Sequence, residues 1–112
     1  MLQQVMKYTD SQLARAADLF SAVADPGRLR VIGLLLSSER CAGDLARELG
    51  EELSTISNRL RLLRVHGLVK RRRAGKHIWY SLVDRHVNTL IKNAISHAAE
   101  RVRSAEDDAD DA

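Results

Sequence analysis

Apolar residues recur at helical spacing from residue 10 to residue 65, then alternate over a short stretch before the helical period returns. Leu13, Ala17, Phe20 and Ala24 predict a first helix over about 10–24, with Asp10 placed to cap it. Asp25-Pro26 restarts the chain, because aspartate is a favoured N-cap and proline suits a first helical position whose N–H lacks a partner anyway. The second helix, about 26–37, carries Leu29, Ile32, Leu35 and Leu36 on one wide apolar face and ends at Ser37-Ser38. A short third helix, Cys41 to Leu49, turns Ala42, Leu45 and Leu49 inward, and Gly50 stands where a left-handed residue closes a helix. After Glu51-Glu52, a fourth helix over about 53–65 places Ile56, Leu60 and Leu63 inward and Ser, Thr, Asn and Arg outward, with Gly67 to close it.

Two helices joined by a short glycine-containing turn, the second polar and basic outside, form a helix-turn-helix pattern. Leu68 to Arg72 and His77 to Leu82 then read as strands flanking a turn, Arg73-Ala74-Gly75-Lys76, with glycine where positive φ is cheap. Asp84 caps a last helix, about 85–103, striped by Val87, Leu90, Ile91, Ala94, Ile95 and Ala98. The expected fold is mainly α with a small β-hairpin, a winged helix-turn-helix. It divides into an N-terminal arm (1–9), one DNA-binding and dimerisation domain (10–103) and a disordered acidic tail (104–112). Of the strand neighbours Trp79 and Tyr80, only one can face the core.

Charge sharpens this picture. The last seven residues hold five of the chain's 15 acids and no base, which leaves 18 basic against 10 acidic residues over positions 1–105. Between Leu53 and Val83 stand eight Lys or Arg and no acid. One-sign charge inside an ordered pattern points to a polyanion partner, since a merely solvated face mixes signs. The longest apolar run, Val31 to Leu36, is far short of the ~20 residues a membrane helix needs. A lone cysteine, Cys41, excludes an intramolecular disulfide framework and suits a reducing cytoplasm.

The partner expected is double-stranded operator DNA, with no membrane and no organic small-molecule substrate. On the fourth helix Ser54, Thr55, Ser57, Asn58, Arg59 and Arg61 are placed for the major groove. Asn58 suits adenine, and Arg59 or Arg61 suits guanine or a phosphate. Arg64, Arg71, Arg72, Arg73, Lys76 and His77 are expected on phosphates, which give affinity without sequence. For Ser54 and Ser57, capping of the helix start is the alternative.

A metal is the second candidate chemistry. His86 and His97 share a face of the last helix but stand about 16 Å apart along it. Metal–ligand bonds of about 2 Å therefore forbid one chain from joining Asp84-x-His86 to His97 and Glu100. Two such helices packed antiparallel remove the difficulty, because facing residues then have a constant index sum. Asp84 with Glu100 gives 184 and His86 with His97 gives 183, so both pairs meet in one register. A symmetric homodimer would hold two equivalent intersubunit sites, each with Asp84 and His86 from one chain and His97 and Glu100 from the other. Four ligands of this N₂O₂ type, with no open position, suit a closed, non-catalytic Zn(II) site, so an enzyme is not expected. A surface helix with unrelated histidines and acids is the alternative.

Residues 10–103 resemble the ArsR/SmtB family of metal-sensing winged-helix repressors. The resemblance is carried by Val23-Ala24-Asp25-Pro26-Gly27-Arg28-Leu29-Arg30, Cys41-Ala42-Gly43-Asp44-Leu45-Ala46, Ser57-Asn58-Arg59-Leu60-Arg61-Leu62-Leu63-Arg64 and Gly75-Lys76-His77-Ile78-Trp79-Tyr80-Ser81-Leu82. It implies a homodimeric repressor whose DNA affinity falls when metal binds. It also implies that Asp84, His86, His97 and Glu100 match the C-terminal-helix zinc ligands of SmtB-like members, and that His97 signals to a main-chain carbonyl near Gly67. Gly43 breaks the Cys-x-Cys pattern of arsenic sensors, and Met1 to Thr9 lacks the thiols or histidine of cadmium and lead sensors, so Cys41 is not a ligand. Glu51-Glu52 and Asn58-Arg59 depart from the family's usual residues. The resulting expectation is a zinc-responsive repressor, released from its operator by Zn(II) to derepress metal efflux or sequestration genes. A nickel- or cobalt-responsive repressor and a constitutive DNA binder with a structural zinc staple are the alternatives.

Overall fold

The computed structural model describes residues 7–111; the arm segment 1–6 and Ala112 lie outside the described residues. Among the described residues, five helices and one hairpin follow in the order α1 (Asp10–Val23), α2 (Pro26–Leu35), α3 (Ala42–Leu49), α4 (Leu53–Val65), β1 (Val69–Ala74), β2 (His77–Leu82) and α5 (Arg85–Asp111). This is the expected winged helix-turn-helix.

Helix starts are fixed by local chemistry. Thr9, not Asp10, caps α1: its hydroxyl accepts from Gln12 N at 3.1 Å while the Gln12 side chain accepts from Thr9 N at 2.9 Å, a reciprocal capping box. Asp25 caps α2 as expected, with Oδ2 accepting from Arg28 N at 2.9 Å and Pro26 in the first turn. That backbone hydrogen bond holds the Asp25 carboxyl below its ordinary range, and the charges of Arg28 and Arg59 add to it. The cap's contribution is therefore in place above the ordinary carboxylate range and is lost as pH falls through the lowered value. Gly50 (φ 65°) and Gly67 (φ 74°) close α3 and α4 in left-handed geometry.

The core joins all elements. Ala22 of α1, Val31, Ile32 and Leu35 of α2, Leu45 of α3, Ile56, Leu60 and Leu63 of α4, Leu68, Val69, Leu82 and, from α5, Val87 and Ile91 form one buried cluster. Leu13 and Phe20 of α1 stay exposed, as do Ile95 and Val102 of α5. The helical stripes of α1 and α5 thus exceed what the described residues of one chain cover.

β1 and β2 pair antiparallel from Val69↔Leu82 to Ala74↔His77, so the turn is the two residues Gly75-Lys76, with Gly75 at φ 63°. Arg40 adds a bridge to Tyr80, with N···O distances of 3.0 and 2.8 Å, which fastens the wing root to the loop before α3. Asp84 caps α5 through Val87 N at 3.0 Å, and Asn88 Nδ2 donates to Leu36 O at 3.4 Å. α5 does not end near 103 but continues to Asp111, through the stretch expected as a disordered tail. Residues 104–111 contain no glycine or proline, and extending a helix already nucleated costs far less than starting one.

Candidate nucleic-acid interface and metal site

The recognition helix α4 is held from below by Ile56, Leu60 and Leu63, which leaves Ser54, Ser57, Asn58 and Arg61 exposed on the opposite side, with Thr55 half-buried. No side chain caps the start of α4, so Ser54 and Ser57 are not occupied as caps. Neutral donors and acceptors beside an exposed guanidinium are the chemistry that reads base edges and phosphates in a major groove.

Three arginines of the expected set are placed differently. Arg59 is half-buried and ion-paired to Glu51 in the turn before α4. Arg64 is half-buried, with its Nε enclosed and without a hydrogen-bond partner among the described residues. Arg72 makes a two-point bond to Glu39, Nε to Oε2 at 3.1 Å and Nη2 to Oε1 at 2.6 Å, and lies 6.0 Å from the centre of the Trp79 ring. The Arg72 hydrogen bond and charge hold Glu39 below the usual carboxylate range and raise Arg72 in turn. Arg59 and Arg72 find partners eight and 33 residues away, which no local pattern reveals.

The alternation of β-strands explains the rest of the wing. Arg72, Trp79 and His77 share one face, with the two rings 6.1 Å apart, while Tyr80 packs toward the core from the other. Trp79 thus supports the wing, as expected for one of the two neighbours. Arg71, Arg73, Lys76 and His77 are exposed and keep the expected basic surface. Arg71→Ala and Arg73→Ala should weaken binding to all DNA sequences about equally and flatten the salt dependence by about one counterion each. Arg72→Ala should change the salt slope least of the three, because its charge is already answered by Glu39; filter binding at several salt concentrations checks this order.

Asp84 and His86 lie together at the start of α5, with Oδ1 and Nδ1 3.8 Å apart and His86 98% exposed. His97 and Glu100 are exposed about one turn apart further along the same helix. Among the described residues, no three His, Cys, Asp or Glu side chains converge within the chain. The two pairs stand apart along the helix, and one chain alone does not bring them together. Cys41 is half-buried at the start of α3 and makes no capping bond.

A family profile described as "Bacterial regulatory protein, arsR family" matches residues 25–71, from the Asp25 cap to the first strand of the wing. The chain is 43% identical over 89 residues to the transcriptional repressor SmtB homolog of Synechocystis sp., covering 80% of this chain and 67% of that protein. It is 43% identical over 90 residues to the HTH-type transcriptional regulator NmtR of Mycobacterium tuberculosis, covering 80% and 75%. The chain belongs to the ArsR/SmtB family. A solved homodimeric winged helix-turn-helix DNA-binding domain from Mycobacterium bovis, described as a possible ArsR-family regulator, superposes with a TM-score of 0.80 at 29% identity, over 88% of this chain and 94% of that one. As an ArsR/SmtB member the protein is a DNA-binding transcriptional repressor of the metal-responsive type, and not an enzyme. Among the described residues, no helix is long and apolar enough to cross a membrane.

Proposed function

We propose that this ArsR/SmtB repressor responds to zinc: it binds operator DNA as an apo homodimer in the cytoplasm and leaves it when Zn(II) binds, derepressing metal efflux or sequestration genes. The observation that carries the reading is the pair of exposed half-sites on α5, Asp84 with His86 and His97 with Glu100, neither of which completes a metal site within one chain. In an antiparallel α5 pair the two half-sites would come into register. Two imidazoles and two carboxylates fit zinc and leave no open position for catalysis.

Asp84 and His86 of one subunit with His97 and Glu100 of the other would hold the ion, which supplies a cross-link between the two α5 helices. The protein's own groups do the remainder. Asp84 keeps its hydrogen bond to Val87 N and so orients the first half-site on the helix end. α5 in turn packs on the hairpin and, through Asn88, on α2, so a change in how the helices pair reaches both the wing and the recognition helix. Ser54, Thr55, Ser57, Asn58 and Arg61 face the bases while Arg71, Arg73, Lys76 and His77 meet phosphates, and two such sets must fit successive grooves at once. Metal-induced release is then a coupling free energy, and DNA must weaken zinc binding by the same factor.

The deciding experiment titrates a duplex, selected by the apo protein from a random pool, with and without Zn(II), Co(II) and Ni(II). Zinc should lower affinity most. Unchanged or raised affinity with bound zinc would make the metal a structural staple, and a stronger response to nickel or cobalt would move the assignment to those metals. Cys41→Ser should retain zinc-dependent release. A stoichiometric Co(II)–thiolate absorption band in the wild-type protein would contradict that expectation.

A further inference from the structure

Arg59 lies on the recognition helix, yet it points back into the protein. Its side chain is only 24% exposed and is ion-paired to the 22%-exposed Glu51, Nη1 to Oε2. Its guanidinium lies across the first turn of α2, so that a Cβ added at Gly27 would meet Arg59 Cζ and Nη2 at 2.6 Å and Nε at 2.9 Å. Gly27 is buried and does not need glycine's conformational freedom, for its φ is not positive. Within a helix, glycine is the least favourable residue after proline, so the position invites alanine on propensity alone. The space above Gly27 is what Arg59 uses.

We infer that Gly27, Glu51 and Arg59 form a positioning lock that sets the angle of the recognition helix, with Arg59 as a positioning residue rather than a DNA contact. Three separate elements meet at one guanidinium: the start of α2, the turn of the helix-turn-helix and the second turn of α4. Asp25, the cap of α2, feels the same charge. The core residues Ile56, Leu60 and Leu63 fix which face of α4 turns inward, but apolar contacts are non-directional and tolerate small rotations. A planar guanidinium pressed on a glycine and tied to a carboxylate is directional. It fixes how Ser54, Ser57, Asn58 and Arg61 enter the groove, so its loss should lower sequence discrimination across a whole half-site. The inference rests on DNA binding by α4 and is independent of the metal reading.

The test uses the full chain without metal and two probes: a duplex selected by the wild-type protein from a random pool, and a scrambled duplex of equal length. The readout is the ratio of the two affinities, which cancels uniform effects of changed net charge. Arg59→Ala and Glu51→Gln should each lower the ratio by about tenfold, and the double variant should lose little more than either single one, because the two side chains act as a unit. The loss should spread over every base pair of the half-site, and the salt slope should stay unchanged. Gly27→Ala displaces only the tip of a flexible side chain, so it should keep or raise the thermal midpoint while lowering the same ratio. A merely structural role would not separate stability from discrimination in this way. A salt slope reduced by about one in Arg59→Ala would make it a phosphate contact. A loss confined to one base pair, with Glu51→Gln unchanged, would make it a base reader. Either result, or an unchanged ratio in Gly27→Ala, would overturn the lock.

Discussion

Leu63→Ala should destabilise the protein by about 2–5 kcal/mol, whereas Leu62→Ala, one residue away, should cost about 1 kcal/mol or less. Leu63 is 0% exposed, among the side chains that join α4 to the rest of the core, while Leu62 is 37% exposed on the outer side of the same helix. Truncating the first leaves a cavity that the close-packed interior fills only in part. A domain of this size has about 5–15 kcal/mol in total, so the loss is a large share of it. The thermal midpoint of Leu63→Ala should fall by roughly 10 °C or more. DNA binding should fail with it above that temperature, since the recognition helix is the element whose anchor is cut. Thermal melts of both variants decide the matter, and equal losses would mean that the inward face of α4 is assigned wrongly.

The inward triplet Ile56, Leu60 and Leu63 was legible because it recurs at helical spacing, although Leu53, Leu62 and Val65 of the same helix are apolar and exposed. The closing glycines at 50 and 67 and the wing were legible for a similar reason, since each depends on residues adjacent in the chain. The cap of α1 was misread although its signal was present: Thr9 and Gln12 stand at capping-box spacing, and the pair outcompetes Asp10. The fate of Arg59 and Arg72 was not legible at all. An arginine that binds phosphate and one that clasps a distant carboxylate look alike in sequence, and only the fold brings Glu51 and Glu39 into reach.

The last helix shows the opposite case, where sequence says more than one chain's structure can. Val87 and Ile91 are buried, but Ala94, Ile95 and Ala98 of the same stripe are exposed, and His97 and Glu100 meet no partner ligands within the chain. A pattern of that length, striped past the part that packs on its own domain, suits the symmetric α5 contact proposed above. The helix continues to Asp111 because no glycine or proline breaks it after Asp84, although Asp107, Asp108, Asp110 and Asp111 are poor helix formers.

Mixed dimers give the sharpest result expected of the metal reading. Asp84→Ala and His97→Ala chains should each lose the zinc response as homodimers yet still bind DNA, because neither side chain lies on α4 or the wing. A chain carrying Asp84→Ala with His86→Ala should then be paired with one carrying His97→Ala with Glu100→Ala. One of the two sites in that heterodimer loses all four ligands. The other keeps all four, taking Asp84 and His86 from one subunit and His97 and Glu100 from its partner. The heterodimer should therefore bind about one Zn(II) tightly, while each parent homodimer, with two ligands at every site, should bind none tightly. Isolation through two different affinity tags, followed by a count of bound zinc, measures it. Failure to recover tight binding would mean that the half-sites do not meet across the dimer. The antiparallel pairing of α5 would fall with them, because index sums of 184 and 183 are what bring Asp84 opposite Glu100 and His86 opposite His97.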